Sequence, residues 1–233
     1  MQENSIKYKV LEVVEESLGV VTLNLTCEDG LPEYKAGQFI TVFFQETGQV
    51  EGKSYSISSS PSSDFLSITV KGVGAFSNKL IAMKVGDIIN ASLPYGYFYS
   101  ESEANSMILV AGGIGIAPLM SMIKYSRKVF PVRKIILLFS NKTLEHIIFR
   151  NELNELSRQS DGNLVVEYYL TQEVSKMEEK KGRIPVNDIF KCYEGFTDSE
   201  LFICGSIEFV RDYWRGLKGA GVPVEKIYTE AFF

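Results

Sequence analysis

The chain has few of the residues on which metal, disulfide or iron–sulfur chemistry depends. Its 233 residues include one histidine, His146, and three cysteines, Cys27, Cys192 and Cys204. The cysteines are far apart and odd in number, which fits neither a disulfide framework nor a Cys-x-x-Cys metal site. An iron–sulfur cluster would need four clustered thiolates. We therefore expect no metal centre in this chain.

The sequence also lacks an excess of positive charge and a long apolar run. Its formal net charge is -5, so it offers no basic field for nucleic acid. No segment has the length of a membrane-spanning helix or the pattern of a signal peptide. Hydrophobic residues make up 45% and charged residues 23% of the chain, as in ordinary folded proteins. We expect a cytoplasmic protein without nucleic-acid binding or membrane insertion.

The first part of the chain is built from short apolar or alternating runs separated by Gly, Pro, Asp and Ser. Such spacing is typical of an antiparallel barrel or sandwich. One short amphipathic helix is predicted at about residues 77–83. The predicted strands cover residues 8–14, 20–25, 38–44, 54–58, 65–70 and 88–93.

After residues 100–105, which are polar, strands alternate with helices. This alternation predicts a parallel, doubly wound sheet. We place the domain boundary here, which gives domains of residues 1–101 and 102–233. The predicted strands cover residues 107–111, 134–139, 164–170, 201–204 and 227–231. One predicted helix follows the first strand and runs through residue 128, a second ends near residue 157, and a third covers residues 207–217.

A glycine-rich turn follows the first strand of this second part, with the sequence Ala111-Gly112-Gly113-Ile114-Gly115-Ile116-Ala117-Pro118. Glycines between a strand and a helix let backbone amides approach a pyrophosphate, and the helix N-terminus stabilises its charge. Pro118 suits the first turn of a helix. The turn favours dinucleotide binding, although a tight turn without a ligand has the same composition.

Three weaker motifs each allow a purely structural interpretation. Cys204-Gly205-Ser206 ends a predicted strand, where ligands bind in open α/β sheets, but a lone cysteine there is commonly a small buried hydrophobe. Lys53-Ser54-Tyr55-Ser56 combines a cation, an aromatic ring and hydroxyls that suit a flavin, but also fits a polar surface strand. Gly74-Ala75-Phe76-Ser77 can hold a phosphate at a helix N-terminus, or simply cap the helix.

In this order along the chain, the motifs resemble those of the ferredoxin–NADP reductase superfamily. That family carries Arg-x-Tyr-Ser/Thr, Gly-x-x-Ser, Gly-x-Gly-Ile-x-Pro and a late Cys-Gly, and the resemblance spans nearly the whole chain. Further similar segments are Gly37-Gln38-Phe39, Pro94-Tyr95-Gly96 and Phe149-Arg150-Asn151-Glu152-Leu153. The resemblance implies an N-terminal antiparallel Greek-key β-barrel that binds FAD and a C-terminal α/β doubly wound parallel sheet that binds NAD(P).

The resemblance also implies roles for individual residues toward FAD. Tyr55 would pack against the flavin, Lys53 would pair with the pyrophosphate, and Ser56 would hydrogen-bond near the flavin N5. The remaining FAD-binding candidates are Ser54, Val70, Lys71, Gly74, Ala75, Phe76 and Ser77.

Toward the nicotinamide dinucleotide, the resemblance assigns the glycine turn and Cys204, which would lie close to the nicotinamide. Glu230 would lie near the reacting atoms, and Phe232 or Phe233 would stack on the flavin, although a terminal Phe pair can equally anchor the last strand. The dinucleotide-binding candidates are Gly113, Ile114, Gly115, Pro118, Ser140, Lys142, Arg150, Cys204 and Gly205.

Two features of the sequence bear on affinity and coenzyme choice. Lys53 replaces the arginine of the family and lacks its bidentate fork, so FAD is expected to be held more loosely. Ser140, Lys142 and Arg150 supply hydroxyl and basic groups after the second strand, where a ribose 2′ substituent is commonly bound. They favour NADPH and leave NADH open.

The sequence thus predicts an FAD-dependent NAD(P)H oxidoreductase that reduces a one-electron carrier such as ferredoxin or flavodoxin. We expect a stand-alone reductase or a separately encoded component, since no ferredoxin or globin domain accompanies the two predicted domains. The alternatives are the reductase component of an oxygenase, a reductase of free flavins, and a non-catalytic nucleotide-binding subunit of a larger complex.

Overall fold

The computed structural model of the protein describes residues 5–46, 49–101, 106–172, 179–196 and 198–232. Its internal contacts divide the chain into two units. One comprises Met1–Tyr99 with Met120–Tyr125, and the other comprises Ser100–Leu119 with Ser126–Phe233. Part of the boundary expected at residues 100–105 lies outside the described residues.

The first unit contains a six-stranded antiparallel sheet and a short helix. Its strands follow the spatial order β4-β3-β6-β1-β2-β5, so the last strand lies between the first and the third. The elements are β1 (Ser5–Ser17), β2 (Val20–Thr26), β3 (Phe39–Glu46), β4 (Gln49–Ser56), β5 (Leu66–Lys71), α1 (Ala75–Ile81) and β6 (Ile88–Ser92).

The two edge strands of this sheet meet and close it into a barrel. An antiparallel bridge joins Ile57, directly after β4, to Ile68 of β5. Next to this bridge the Ser58 amide donates to the Ser67 carbonyl at 2.8 Å. Closure leaves the edge strands paired rather than open. The predicted Greek-key barrel is therefore confirmed, including all six predicted strands.

Period-two alternation explains which side chains fill the barrel. In β2, Leu23 and Leu25 are fully buried in the interior, whereas Thr22 and Asn24 form hydrogen bonds with polar groups of neighbouring strands. The same alternation recurs in the other strands. The fully buried interior residues are Tyr8, Val10, Leu23, Leu25, Ile40, Val42, Ile57, Leu66, Ile68, Val70, Leu80, Ile89 and Ala91.

The second unit contains a six-stranded parallel sheet with helices between its strands. Its spatial order is β10-β9-β8-β7-β11-β12. The elements are β7 (Ser106–Gly112), α2 (Ile116–Val129), β8 (Lys134–Asn141), α3 (Arg150–Arg158), β9 (Leu164–Leu170), β10 (Lys180–Lys181), α4 (Val186–Gly195), β11 (Glu200–Ser206), α5 (Ile207–Gly219) and β12 (Ile227–Phe232). Of α2, Met120–Tyr125 is grouped with the first unit.

The strand order of this sheet reverses between β7 and β11, which pair directly. In a doubly wound sheet, such a reversal opens a crevice at the carboxyl ends of the two strands. The predicted parallel sheet is confirmed. Strand β10 and helix α4 were not predicted. Strand β10 has only two residues, Lys180–Lys181, and shows no periodicity. Helix α4 does carry apolar residues at helical spacing, Val186, Ile189, Phe190 and Tyr193, and this signal was missed.

The helices of the described residues are short. The longest, α2, has 14 residues, whereas a bilayer requires about 20 apolar residues. No helix in these ranges is long and apolar enough to span a membrane.

We expect barrel closure to contribute measurably to stability. Ile57→Ala should lower the free energy of unfolding by about 2–5 kcal/mol, because it empties a fully buried position at the closing bridge. Urea denaturation followed by circular dichroism measures the change. Leu18→Ala is the control, since Leu18 is 81% exposed and should change stability by less than about 0.5 kcal/mol. Equal effects of the two substitutions would contradict the assignment.

Candidate functional site

The glycine turn after β7 lies directly against the end of β11. Gly113 adopts a left-handed conformation with φ of 53° and begins a short 3₁₀ turn that leads into α2. A Cβ atom built on Gly115 would lie 2.3 Å from the carbonyl oxygen of Cys204. No side chain can occupy that space. Gly115 therefore allows the backbone of the turn to approach the neighbouring strand end.

Phe209 covers two further glycines at the same place. A Cβ on Gly112 would meet its ring at 3.0 Å, and one on Gly205 would meet it at 2.7 Å. The ring is held by the start of α5, where the Ser206 hydroxyl caps the helix by accepting from the Phe209 amide at 3.3 Å. Sequence analysis missed Phe209, whose only signal is an aromatic residue in the first turn of an amphipathic helix.

Cys204 and Glu230 are register partners on the adjacent parallel strands β11 and β12. Cys204 is also paired with Ala111 at the start of the glycine turn. Burial raises the pKa of the Cys204 thiol, and the nearby Glu230 carboxylate raises it further. The thiol is consequently protonated at neutral pH. The structure thus brings these two predicted residues together at the edge that carries the glycine turn.

The C-terminal strand ends at the same edge of the sheet. Phe232 is half-buried and pairs in register with Ser206. Further back in β12, the Tyr228 ring stacks on Phe202 with centroids 4.7 Å apart. Phe233, the second predicted stacking residue, lies outside the described residues.

The residues predicted to select the coenzyme lie after β8. Ser140 is half-buried and pairs in register with Gly112, and Lys142 is exposed. Arg150 begins α3, and its guanidinium donates to the Glu179 carboxylate at 2.8 Å. The structure therefore places a carboxylate against Arg150 that was not expected from the sequence.

A small cavity of about 140 Å³ opens beside Phe209. Arg183 and Asp212 at this cavity form an exposed ion pair at 3.6 Å. The Tyr213 hydroxyl donates to the Ile184 carbonyl at 2.9 Å and holds the loop after β10 against α5. The cavity is lined by Arg183, Ile184, Val186, Phe209, Asp212 and Tyr213.

In the first unit, two predicted flavin-binding side chains of β4, Lys53 and Tyr55, lie against the ring of Phe76. The Lys53 ammonium lies 5.4 Å from the centroid of the Phe76 ring, and the Tyr55 ring is stacked at 6.3 Å with an interplanar angle of 20°. Phe76 itself packs on Phe44 at 4.7 Å. Lys53 is exposed and Tyr55 is half-exposed, so a cation and the face of an aromatic ring are presented side by side.

The serines of the same strand differ in accessibility. Ser54 is exposed, and its hydroxyl is hydrogen-bonded to that of Thr41 at 3.0 Å. Ser56 is buried and pairs with Phe39 in register. The two serines thus lie at different depths along β4.

The hydroxyl of Ser77 is engaged within its own helix terminus. It accepts from the amides of Val73 at 2.9 Å and Gly74 at 3.1 Å, and donates to the Gly74 carbonyl. The first amides of a helix have no intrahelical partner. The turn therefore offers a phosphate the amides of Ala75 and Phe76, while the Ser77 hydroxyl orients the loop.

The remaining candidates of the first unit lie nearby in sequence but differ in exposure. Val70 is fully buried in the barrel interior, whereas Lys71 is exposed at the end of β5. Only the main chain of Val70 is therefore available to a ligand.

Two sequence segments that resembled the family are brought together in the barrel. Phe39 and Tyr95 exchange backbone hydrogen bonds at 3.0 and 2.9 Å, and their rings lie 4.3 Å apart. The Gln38 side chain donates to the Gly96 carbonyl at 3.1 Å. These segments fasten the start of β3 to the chain that follows β6.

Each unit has features that fit the group expected there. Gly112 and Gly115 pack the turn against Phe209 and Cys204, and Gly113 leaves the backbone of the turn open, which suits the close approach of a pyrophosphate. The first unit presents a lysine, an aromatic face and helix-terminal amides, which suit a phosphate and a planar ring.

Comparison with known families assigns both units. Residues 6–99 match the model of the oxidoreductase FAD-binding domain. Residues 109–214 match that of the oxidoreductase NAD-binding domain. Binding of FAD and of a nicotinamide dinucleotide, expected from the sequence, is confirmed at the level of these domains.

Similar proteins include a flavohemoprotein of Xylella fastidiosa, which is 29% identical over 97% of this chain. The ferredoxin reductase component of 3-ketosteroid-9-alpha-monooxygenase from Mycolicibacterium smegmatis is 30% identical, also over 97%. The chain spans 58% of the length of the former and 65% of the latter.

Solved structures share the fold over nearly the whole chain. The FAD/NAD-binding domain of nitric oxide dioxygenase from Vibrio cholerae has a TM-score of 0.88 at 24% identity and covers 99% of both chains. A ferredoxin NADP+ reductase from Neisseria gonorrhoeae, with bound FAD and NADP, has a TM-score of 0.83 at 21% identity and covers both chains fully.

We expect Gly115→Ala to impair the dinucleotide site selectively. The new methyl group would overlap the Cys204 carbonyl, so the turn must move away from β11. NAD(P)H-dependent ferricyanide reduction should fall at least about tenfold, while FAD binding to the barrel is retained. Gly219→Ala is the matched control, because no atom lies within 4 Å of the added Cβ. Unchanged activity in Gly115→Ala would contradict this placement of the dinucleotide.

Proposed function

Because the chain belongs to the ferredoxin–NADP reductase superfamily, we propose that it is an FAD-dependent NAD(P)H oxidoreductase whose acceptor is a one-electron carrier such as ferredoxin or flavodoxin. The observation that carries the proposal is the meeting of the glycine turn with the Cys204 strand end, where Gly115 leaves no room for a side chain. When bound, the two groups supply hydride transfer from nicotinamide to flavin and stepwise release of electrons.

On the barrel, the chain's task is to hold and orient FAD. Lys53 and the amides of Ala75 and Phe76 pair with the pyrophosphate, and the Tyr55 ring packs against the flavin. Ser56 is assigned a hydrogen bond near the flavin N5. The stacking of Tyr55 and the Lys53 ammonium on Phe76 supports these roles, because it restrains both side chains before FAD binds.

On the α/β unit, the amides of Gly113 to Gly115 and the N-terminus of α2 bind the dinucleotide pyrophosphate. The partial positive charge of that terminus favours an anion. Cys204 contacts the nicotinamide as a neutral thiol, which places no negative charge against the ring. Glu230, its partner on β12, is assigned a position beside the nicotinamide.

A second candidate is a reductase component that serves an oxygenase. It is favoured by the 30% identity to the ferredoxin reductase component of 3-ketosteroid-9-alpha-monooxygenase. Both candidates require flavin reduction by a nicotinamide dinucleotide, and they differ only in the protein that accepts the electrons.

Purified protein supplied with FAD should show a bound-flavin absorption spectrum that is bleached by NADH or NADPH under anaerobic conditions. Addition of oxidised ferredoxin or flavodoxin should then restore the spectrum. Recovery only with an oxygenase component would favour the second candidate. Failure to bind FAD, or the absence of bleaching by both nucleotides, would overturn the reductase and leave a nucleotide-binding subunit.

Lys53→Ala should weaken FAD binding by about tenfold or more, because a charge-assisted contact to the pyrophosphate is lost. Lys53→Arg should tighten it, since the guanidinium forms a bidentate fork. Titration of flavin-free protein with FAD, followed by flavin fluorescence, measures both changes. Lys7→Ala serves as a charge-matched control on an exposed position of β1. An effect of Lys53→Ala no larger than that of the control would exclude Lys53 from the site.

A further inference from the structure

We propose that this chain takes NADH in preference to NADPH, and that Glu179 sets the preference by neutralising Arg150. The inference rests on the proposed function, since it concerns the adenosine half of the same dinucleotide. It departs from the preference for NADPH expected from Ser140, Lys142 and Arg150 in the sequence.

The position of Arg150 makes it the natural partner of a 2′-phosphate. In doubly wound sheets the ribose 2′ substituent is bound near the end of the second strand, next to the strand that carries the glycine turn. Here that strand is β8, which pairs with β7 and ends at Asn141. Arg150 begins the helix that follows. An unopposed guanidinium at this place would favour the phosphate of NADPH.

Arg150 is, however, opposed by a buried carboxylate. Its Nη2 lies 2.8 Å from Oε1 of Glu179, and the Glu179 side chain is only 4% exposed, compared with 36% for Arg150. Withdrawing Arg150 toward a phosphate would leave this carboxylate buried without its counter-charge, which is strongly unfavourable. The ion pair therefore keeps the guanidinium engaged and cancels its charge.

The ring of Tyr168 is in the field of both members of this ion pair. Burial raises its pKa to about 12, while Arg150 acts to lower the pKa and Glu179 acts to raise it. Tyr168 is the register partner of Phe139 in β8. The Arg150–Glu179 ion pair therefore lies near the carboxyl ends of β8 and β9, where the ribose 2′ substituent is expected.

The neighbouring groups do not restore a positive field. The Asn141 side chain is buried, and both of its polar atoms lack a hydrogen-bond partner among the described residues. An amide can serve a neutral hydroxyl as donor or acceptor but adds no charge. Arg183, after β10, is paired with Asp212 at 3.6 Å. Lys142 is a single exposed ammonium, whose attraction is screened by water and salt.

A 2′-phosphate brings nearly two negative charges to this edge, where the Arg150 charge is already neutralised, whereas the ribose hydroxyl of NADH brings none. A charge that must leave water without finding a free counter-charge penalises the wrong ligand. Discrimination should therefore come from the attraction that NADPH does not receive, because Glu179 cancels the charge that Arg150 would otherwise offer to the 2′-phosphate.

The test compares the binding of 5′-AMP and 2′,5′-ADP to FAD-loaded protein by calorimetry, with steady-state kinetics for NADH and NADPH as a second readout. The natural protein should bind 5′-AMP at least about tenfold more tightly than 2′,5′-ADP. Glu179→Gln should reduce that ratio by about fivefold or more, mainly by strengthening 2′,5′-ADP binding. Arg150→Gln should increase the ratio, because it leaves the Glu179 charge uncompensated.

Glu155→Gln is the matched control. This substitution also removes one carboxylate charge, but from helix α3, where the partly exposed Glu155 pairs with Arg158 at 2.6 Å. It should leave the ratio of 5′-AMP to 2′,5′-ADP affinity unchanged. Preference of the natural protein for 2′,5′-ADP would overturn the inference even if Glu179→Gln fails to fold. So would equal effects of Glu179→Gln and Glu155→Gln. If neither NADH nor NADPH bleaches the flavin while 5′-AMP is still preferred, the proposed reductase fails and this inference stands.

Discussion

The close approach of Gly115 to the Cys204 carbonyl is the contact on which the α/β site depends. It joins the carboxyl ends of β7 and β11, the two strands between which the sheet order reverses. A side chain at position 115 would separate the turn from the strand. Because the turn is in contact with β11, the N-terminus of α2 begins at the crevice, where we propose that the dinucleotide pyrophosphate binds.

The barrel unit prepares its site by a different means. Its two edge strands meet at the bridge between Ile57 and Ile68, and β4 is paired with β3 along its length, so both edges of the strand are restrained near Ser56. Phe76, from helix α1, then packs on Tyr55 and lies under the Lys53 ammonium. Aromatic packing thus positions the polar groups, and less rotamer entropy remains to be lost when a ligand binds.

Two arginines of the α/β unit are paired with carboxylates. Arg150 with Glu179 and Arg183 with Asp212 place a carboxylate beside each of these two guanidinium groups. The carboxylate of the first pair is buried, whereas both members of the second pair are exposed, so the first pair holds its partner more firmly. Electrostatic selection in such a site depends on the net charge of the pair and not on the presence of an arginine.

The sequence by itself determined the two sheets, all of their strands except β10, the glycine turn and the Cys204 strand end, because each rests on local periodicity or on residues adjacent in the chain. Only the tertiary structure decided which groups meet across the fold. Phe209 packs on two glycines of other elements, and the Ser77 hydroxyl is hydrogen-bonded within its own loop. Arg150 is neutralised by Glu179, which is 29 residues away in the sequence. Pairings of this kind leave no periodic trace, since they arise from the register of distant strands and from burial.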